Sequence, residues 1–234
     1  STLTLNFAGV LEENVTWENM GDYLSNSNDG INPVVFDSSG EIIDALFGEN
    51  ASDSFLGIGG PLSDDFNGEI MEAEAIINGK FLVKSQDEIQ RVYTTLLHEF
   101  GHFIGLGHSQ LHVDFAFDQS PINNLFLPVM FPIETEDHFA TQSLLPDDHM
   151  TLSSVYPNEE KAEEHGEISG YVIRPYFEGV QGANVVAVKV DSPLVHSYSR
   201  VSDLHIERTG AFHFSFLPPG KYELFIEPIH SSFV

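Results

Sequence analysis

The chain has 234 residues, enough for one large domain or two smaller ones. Its 41% hydrophobic content can bury a core, which excludes a disordered tail. It carries 36 acidic residues against 9 basic ones, for a formal net charge of -27, so nucleic acid and anionic membranes would be repelled. The acid excess indicates a solvated acidic surface, and it also offers oxygen ligands for calcium.

The sequence contains no cysteine. A zinc ion would therefore have to be held by His, Asp or Glu side chains, and a thiol nucleophile is excluded. No apolar run is long enough to span a bilayer, so we expect no membrane span.

The first region, residues 1–157, mixes strand and helix patterns. "VVFDSSG" predicts a strand and a turn, and "EIMEAEAIINGKFLV" predicts a hairpin that turns at Asn78-Gly79. Ser85 followed by Glu88 is a capping box, which predicts that a long helix begins there. Gly105 and Gly107 suit the end of this helix. Its predicted core face consists of Ile89, Val92, Tyr93, Leu96, Phe100 and Phe103.

The second region, residues 166–234, follows a polar linker at residues 158–165. Short alternating strands with Gly-Pro turns predict a small β-sandwich there. The predicted fold class is therefore α+β, with a twisted mixed sheet and a long helix, followed by an all-β sandwich.

The end of the long helix, "HEFGHFIGLGH", carries a metal-site pattern. His98 and His102 are one helical turn apart, so both imidazoles can reach one ion. Gly105 allows the chain to bend so that His108 becomes a third ligand, and Glu99 is placed to bond a metal-bound water. The alternative is a helix end whose histidines cap carbonyls or fill a core. The extended spacing favours a catalytic zinc site, at which Glu99 would take a proton from water and pass it to a leaving amine.

The pattern H-E-x-x-H-x-x-G-x-x-H resembles the metzincin metallopeptidases, and Ser109 after the third histidine is similar to their matrixin branch. "LPVMFPI" supplies Met130 for the methionine turn of that family. "LLPDDHMTLSSVYP" resembles the C-terminal matrixin helix, in which Asp147 and Asp148 would brace the methionine turn and the chain end.

This resemblance implies an active-site cleft for an extended peptide. "FLGIGGPLSDDFNGEIMEAEAIIN" is similar to the edge strand, loop and next strand of such domains. Substrate would pair antiparallel with the edge strand at Leu56, Gly57, Ile58 and Gly59. The pocket beside the zinc would be walled by Phe131, Pro132 and Ile133. Matrixins carry a Tyr shortly after this Pro, whereas Ile133-Glu134 follows Pro132 here.

Two acidic clusters are candidate calcium sites. One contains Asp37 and Asp44, and the other contains Asp64 and Asp65. The alternative is that each is a solvated turn stabilised by its own Asp side chains.

The second region resembles the carboxypeptidase regulatory-like domain, a transthyretin-like sandwich. The resemblance rests on "GEISGYVIRPYFEGVQGANVVAV" and "GAFHFSFLPPGKYEL". It bears on the fold and is nearly silent about function.

These resemblances imply a secreted zinc endopeptidase, of bacterial origin, that acts on protein or peptide substrates. A non-cleaving binding module on the same scaffold and a zinc hydrolase of non-peptide amides remain alternatives. The oligomeric state stays open.

Overall fold

The computed structural model describes residues 3–24, 29–63, 69–81, 86–118, 120–133, 143–203 and 208–229. These residues form a mixed α and β structure with several small sheets, which agrees with the predicted α+β class. Contacts divide the chain into two compact units. The first unit is Leu5–Gly107, and the second is His108–Val234 together with Ser1–Thr4. None of the described helices is both long enough and apolar enough to cross a membrane.

A three-stranded sheet organises the first unit. Its strands are β1 (Val34–Asp37), β2 (Gly57–Ser63) and β3 (Ile70–Asn78), in the order β1-β3-β2. Strand β3 pairs parallel with β1 and antiparallel with β2, so β2 lies at an edge of the described sheet.

Two helices accompany this sheet. Helix α1 (Glu41–Phe47) follows β1, and helix α2 (Gln86–Phe103) packs on β2 and β3. Phe103 of α2 is buried with Ala73 and Ala75 of β3, and this cluster fixes the C-terminal end of α2 on the sheet.

The predicted hairpin at Asn78-Gly79 is wrong. The chain continues from β3 into a 3-10 helix at Gly79–Phe81 rather than into a second strand. The Asn78 amide donates to the carbonyls of Ser52 and Phe55, at 2.7 and 2.6 Å. A Cβ at Gly79 would lie 2.8 Å from Ser38 Cα, so this glycine serves a close backbone approach rather than a hairpin turn.

The predicted core face of α2 is only partly correct. Phe103 is buried, but Ile89 and Tyr93 are 65% and 49% exposed. The side chains buried on this helix include Thr95 and Glu99 instead. The helix starts at Gln86, and the predicted cap at Ser85 lies outside the described residues.

The described residues of the second unit include four α-helices and two sheets. The helices are α3 (Val113–Phe117), α4 (Pro121–Asn124), α5 (Pro146–Val155) and α6 (Glu159–Ala162). Strands β4 (Gly166–Tyr171) and β7 (Ala211–Leu217) form one sheet, whereas β5 (Ala183–Lys189), β6 (Ser197–Val201) and β8 (Tyr222–Pro228) form the other in the order β6-β5-β8. Their core includes Val185, Tyr198 and Phe214, and it also takes in Met150 of α5.

Helix α5 therefore packs on strands that follow the predicted linker. The Arg200 side chain of β6 donates to the hydroxyls of Thr151 and Ser154 on α5, at 2.9 and 3.3 Å. The division into domains at residues 158–165 stays a prediction, as does the sandwich.

Candidate metal centre

The end of α2 is defined by Gly105. This residue has φ +86°, which side-chain-bearing residues rarely adopt. The Gly105 N–H donates to the His102 carbonyl, and the Leu106 N–H donates to the Gly101 carbonyl, at 2.8 and 2.9 Å. These two bonds form the Schellman motif, in which a left-handed residue closes the helix. The prediction that the helix ends at Gly105 is confirmed, and the bend leads directly to His108.

The structure brings the three predicted histidines together. His98, His102 and His108 each offer a ring nitrogen, and these three atoms lie within 4.8 Å of one another. The Nε2 atoms of His98 and His102 are 3.2 Å apart. Within the part of the chain that the structure describes, this is the group of His, Cys, Asp and Glu side chains arranged to hold a metal ion.

The imidazole of His102 is oriented by the chain that follows it. Its Nδ1 atom lies 2.8 Å from the Leu106 carbonyl oxygen, which can only accept a hydrogen bond. The proton must therefore be on Nδ1, so the lone pair is on Nε2, the atom that faces His98. Hydrogen bonds from the other ring nitrogen to a backbone carbonyl commonly orient metal-binding histidines. Burial lowers the pKa of His102, although the bond to Leu106 opposes this, and the neutral ring is the form that binds a metal.

The distance between the His98 and His102 nitrogens has the length expected for two ligands of a tetrahedral ion. Two ligands at about 2.0–2.1 Å from zinc lie about 3.3 Å apart at the tetrahedral angle. The observed separation of 3.2 Å between the two Nε2 atoms matches that edge. Three nitrogen ligands would leave the fourth position of a tetrahedral ion open.

Glu99 is buried beside these ligands, at 6% exposure. Burial raises the pKa of its carboxyl to about 7. Strand β2 lies against it without side chains in between: a Cβ at Gly57 would be 2.7 Å from Glu99 Cγ, and one at Gly59 would be 2.5 Å from the Glu99 backbone oxygen. Residues 57 and 59 share one face of the strand, so this face consists of backbone where α2 packs on it.

The predicted substrate residues fall in two places. Gly57, Ile58 and Gly59 belong to the edge strand β2, and Leu56 immediately precedes it. The Leu56 carbonyl accepts the N–H of Asn78, at 2.9 Å. Phe131 is buried, whereas Pro132 and Ile133 are half-buried. A role for these residues in substrate binding stays a prediction.

Met130 lies in a tight, buried turn that two other segments support. The Phe131 N–H donates to the Pro128 carbonyl at 3.0 Å. The carboxylate of Asp148 on α5 accepts the N–H groups of Val129 and Met130, at 3.0 and 3.1 Å. The Met130 carbonyl accepts the N–H of Ser109, the residue after His108, at 2.8 Å. The turn is thus tied to the chain that carries the third histidine.

The two candidate calcium sites have different outcomes. The carboxylate of Asp37 accepts the N–H groups of Gly40 and Ile43, at 3.0 and 2.9 Å, so it caps α1. Asp44 accepts the Ser52 N–H at 2.8 Å, and this bond lowers its pKa. Asp64 and Asp65 lie outside the described residues. Calcium binding stays a prediction.

Sequence reasoning missed the supports of the site. The Leu106 carbonyl could not be predicted from a sequence motif, because every residue has a backbone carbonyl. Gly57 and Gly59 did leave a signal, since glycines two apart in a strand indicate a close backbone approach on one face.

Comparisons of this chain with protein-family models, with curated proteins and with solved structures found no match.

Proposed function

We propose that this chain is a zinc-dependent endopeptidase of the metzincin type, similar to the matrixin branch. The observation that carries the proposal is the cluster of His98, His102 and His108 nitrogens within 4.8 Å, on the segment that also holds buried Glu99. A metal-dependent hydrolase needs ligands that leave one metal position open for water, and a nearby carboxylate that can accept a proton from this water.

The roles of these residues follow from their chemistry. The three histidines would hold zinc, which lowers the pKa of a bound water molecule to about 7. Glu99 would accept the proton of the attacking water and deliver it to the leaving amine. Burial raises the pKa of this carboxyl in the metal-free chain, and the charge of a bound zinc ion would lower it again, so the two effects oppose each other at the proposed general base.

The edge position of β2 supports peptides as the substrates. An extended peptide could add to this edge by backbone hydrogen bonds, which recognise a main chain rather than one side chain. The side chain after the cleaved bond would enter the pocket beside Phe131, Pro132 and Ile133. We further propose that residues 166–234 form a carboxypeptidase regulatory-like sandwich.

The alternatives are distinguishable by experiment. A non-cleaving binding module would bind its metal without needing Glu99, because Glu99 is not a ligand in the proposed site. A hydrolase of non-peptide amides would share the metal site, and it would cleave small acyl amides but no peptide.

The test compares Glu99→Gln with the unsubstituted chain. We expect one zinc per chain in each by mass spectrometry, and a loss of about 100-fold or more in kcat/KM on a peptide library for the variant. Glu72→Gln is the matched control, because Glu72 is also buried but lies on β3. This control should keep both zinc and activity.

Two results would contradict the proposal. Zinc binding without cleavage of any peptide would favour the binding module. An unsubstituted chain that binds no zinc would remove the metal site itself.

A further inference from the structure

The two residues that follow His108 are held by strands far along the chain. Ser109 and Gln110 are both buried. The Ser109 hydroxyl donates to Asp147 Oδ2 at 2.6 Å, and the Gln110 carbonyl accepts a hydrogen bond from the Asn184 amide at 3.2 Å. Asp147 begins α5, and Asn184 lies on β5. The two residues directly after His108 are therefore each held by a hydrogen bond to a distant residue, Asp147 or Asn184.

Ser199 of β6 bonds both Asp147 and Asn184. Its backbone N–H donates to Asp147 Oδ1, and its hydroxyl donates to Asn184 Oδ1, each at 2.8 Å. The bonds close a ring, which we call the Ser199 ring. Its members are Ser109, Asp147, Ser199, Asn184 and Gln110.

The ring is built into the second unit's three-stranded sheet. Ser199 pairs with Val186, so Asn184, two residues earlier, is its diagonal neighbour on the same face. Each of the five residues is at least 92% buried. Hydrogen bonds in such surroundings are strong, and a polar group left without its partner is destabilising, so the ring favours a single arrangement.

Arg200 adds a separate connection between the same strand and α5. It is mostly buried, and its guanidinium contacts Thr151 and Ser154 on the helix that begins with Asp147. This contact helps to hold α5 on β6, and the Arg200 charge also acts on the Asp147 carboxylate of the ring.

We propose that strands β5 and β6 are part of the metal centre, with Asn184 and Ser199 as positioning residues for His108. A ligand on a loosely held segment must be ordered when the ion binds, and that ordering weakens binding. The ring already orders the segment after His108 before the ion binds, so this cost is avoided. The strands would therefore act in metal binding itself, and not only as a separate module. The inference rests on the zinc binding proposed above.

The experiment uses the full chain and measures its affinity for zinc by competition with a chromophoric chelator. The variants are Ser199→Ala, which removes one hydroxyl of the ring, and Asn184→Leu, which removes the amide. Removing a group that hydrogen-bonds a metal ligand directly commonly lowers metal affinity by 10–100-fold. Ser199 and Asn184 act on His108 through Asp147 and Gln110, so we expect a loss of a few-fold, up to about tenfold, for each variant.

Ser202→Ala is the matched control. Ser202 is fully buried beyond the end of β6, and its hydroxyl bonds Val180 and Ala183 rather than any member of the ring. Urea unfolding of the metal-free proteins should show that Ser199→Ala and Ser202→Ala are both destabilised. Only Ser199→Ala should bind zinc more weakly.

A spectroscopic measurement separates positioning from stability. The visible absorption of the cobalt-substituted protein reports ligand geometry, and it should change in Ser199→Ala but not in Ser202→Ala. Ser199→Ala keeps the backbone bond to Asp147, so it carries the test if Asn184→Leu does not fold.

The outcomes also separate this inference from the proposed peptidase function. Ring variants that bind zinc as tightly as Ser202→Ala would overturn the inference, whether or not the chain cleaves peptides. Zinc binding that depends on the ring, in a chain that cleaves nothing, would support the inference and defeat the peptidase. A chain that binds no zinc would overturn both.

Discussion

The contact between β2 and Glu99 gives a test of how the proposed general base is positioned. In Gly57→Ala, the new Cβ would lie 2.7 Å from Glu99 Cγ and 3.0 Å from Oε1. Carbon atoms in ordinary contact are about 3.5 Å apart or more, so Glu99 Cγ would have to retreat by about 0.8 Å. The backbone of Gly57 has no left-handed φ that would add strain of its own.

A displacement of this size matters for catalysis. A misplacement of about 1 Å can lower an enzymatic rate by about 100-fold, and we expect a loss approaching that in kcat/KM for Gly57→Ala. Zinc content should not change, because Glu99 is not a ligand. Stability should also fall, by about 1–3 kcal/mol, because the new Cβ would lie 3.0 Å from Thr95 Cγ2 as well, and both side chains are buried.

Gly60→Ala is the control in the same strand. A Cβ at Gly60 meets nothing within 4 Å, and it lies on the opposite face from Gly57. We expect full activity and a free energy of unfolding that is unchanged or higher by up to about 1 kcal/mol, because alanine restricts the unfolded chain.

Gly59→Ala would displace helix α2, whereas Gly57→Ala would displace the Glu99 side chain, so comparing the two variants separates these effects. Its Cβ would lie 2.5 Å from the Glu99 backbone oxygen, so α2 itself would have to move away from β2. Overpacking of this kind destabilises by about 1–3 kcal/mol, which urea unfolding would detect. Peptide cleavage by Gly57→Ala at the rate of Gly60→Ala would refute the argument that strand contact positions Glu99.

Two further predictions concern the ends of the helix and the loop after it. Gly105→Ala should lower the free energy of unfolding by about 1 kcal/mol, because alanine disfavours φ +86°. Gly107→Ala, where a Cβ meets nothing, is the control in urea unfolding. Burial lowers the pKa of His112 from 6.5 to about 4. The unfolded chain therefore binds a proton at this histidine more readily than the folded chain, so the free energy of unfolding falls as the pH is lowered from about 6.5 to about 4. His112→Asn should abolish up to about 3 kcal/mol of that pH dependence, whereas exposed His149→Asn should leave it in place.

The parts of the site that could be predicted depend on local chemistry. Glycine is nearly required at a left-handed helix end, so Gly105 marks the stop. Two histidines one turn apart must share a helix face, and the bend after Gly105 returns His108 to them.

The wrong predictions arose where tertiary contacts outweighed local preference. Asn78-Gly79 is a strong hairpin signal, but the Asn78 side chain is used to hold the carbonyls of Ser52 and Phe55. The helical period of Ile89 and Tyr93 predicted a buried face, yet the sheet packs against the face that carries Thr95 and Glu99. Burying an acid in preference to an aromatic residue contradicts propensity and is more typical of a functional site.

The Ser199 ring shows why the remaining supports could not be found from the sequence. Asn184 and Ser199 are common polar residues in alternating strands, where the same pattern usually places them toward solvent. Only the pairing of β5 with β6 sets them side by side on one face, and only the packing of α5 brings Asp147 to them. Buried polar residues that hydrogen-bond one another tolerate few arrangements, so they specify position more than they add stability. For this reason the ring is expected to affect zinc affinity more than the free energy of unfolding, which is the difference that Ser199→Ala and Ser202→Ala measure.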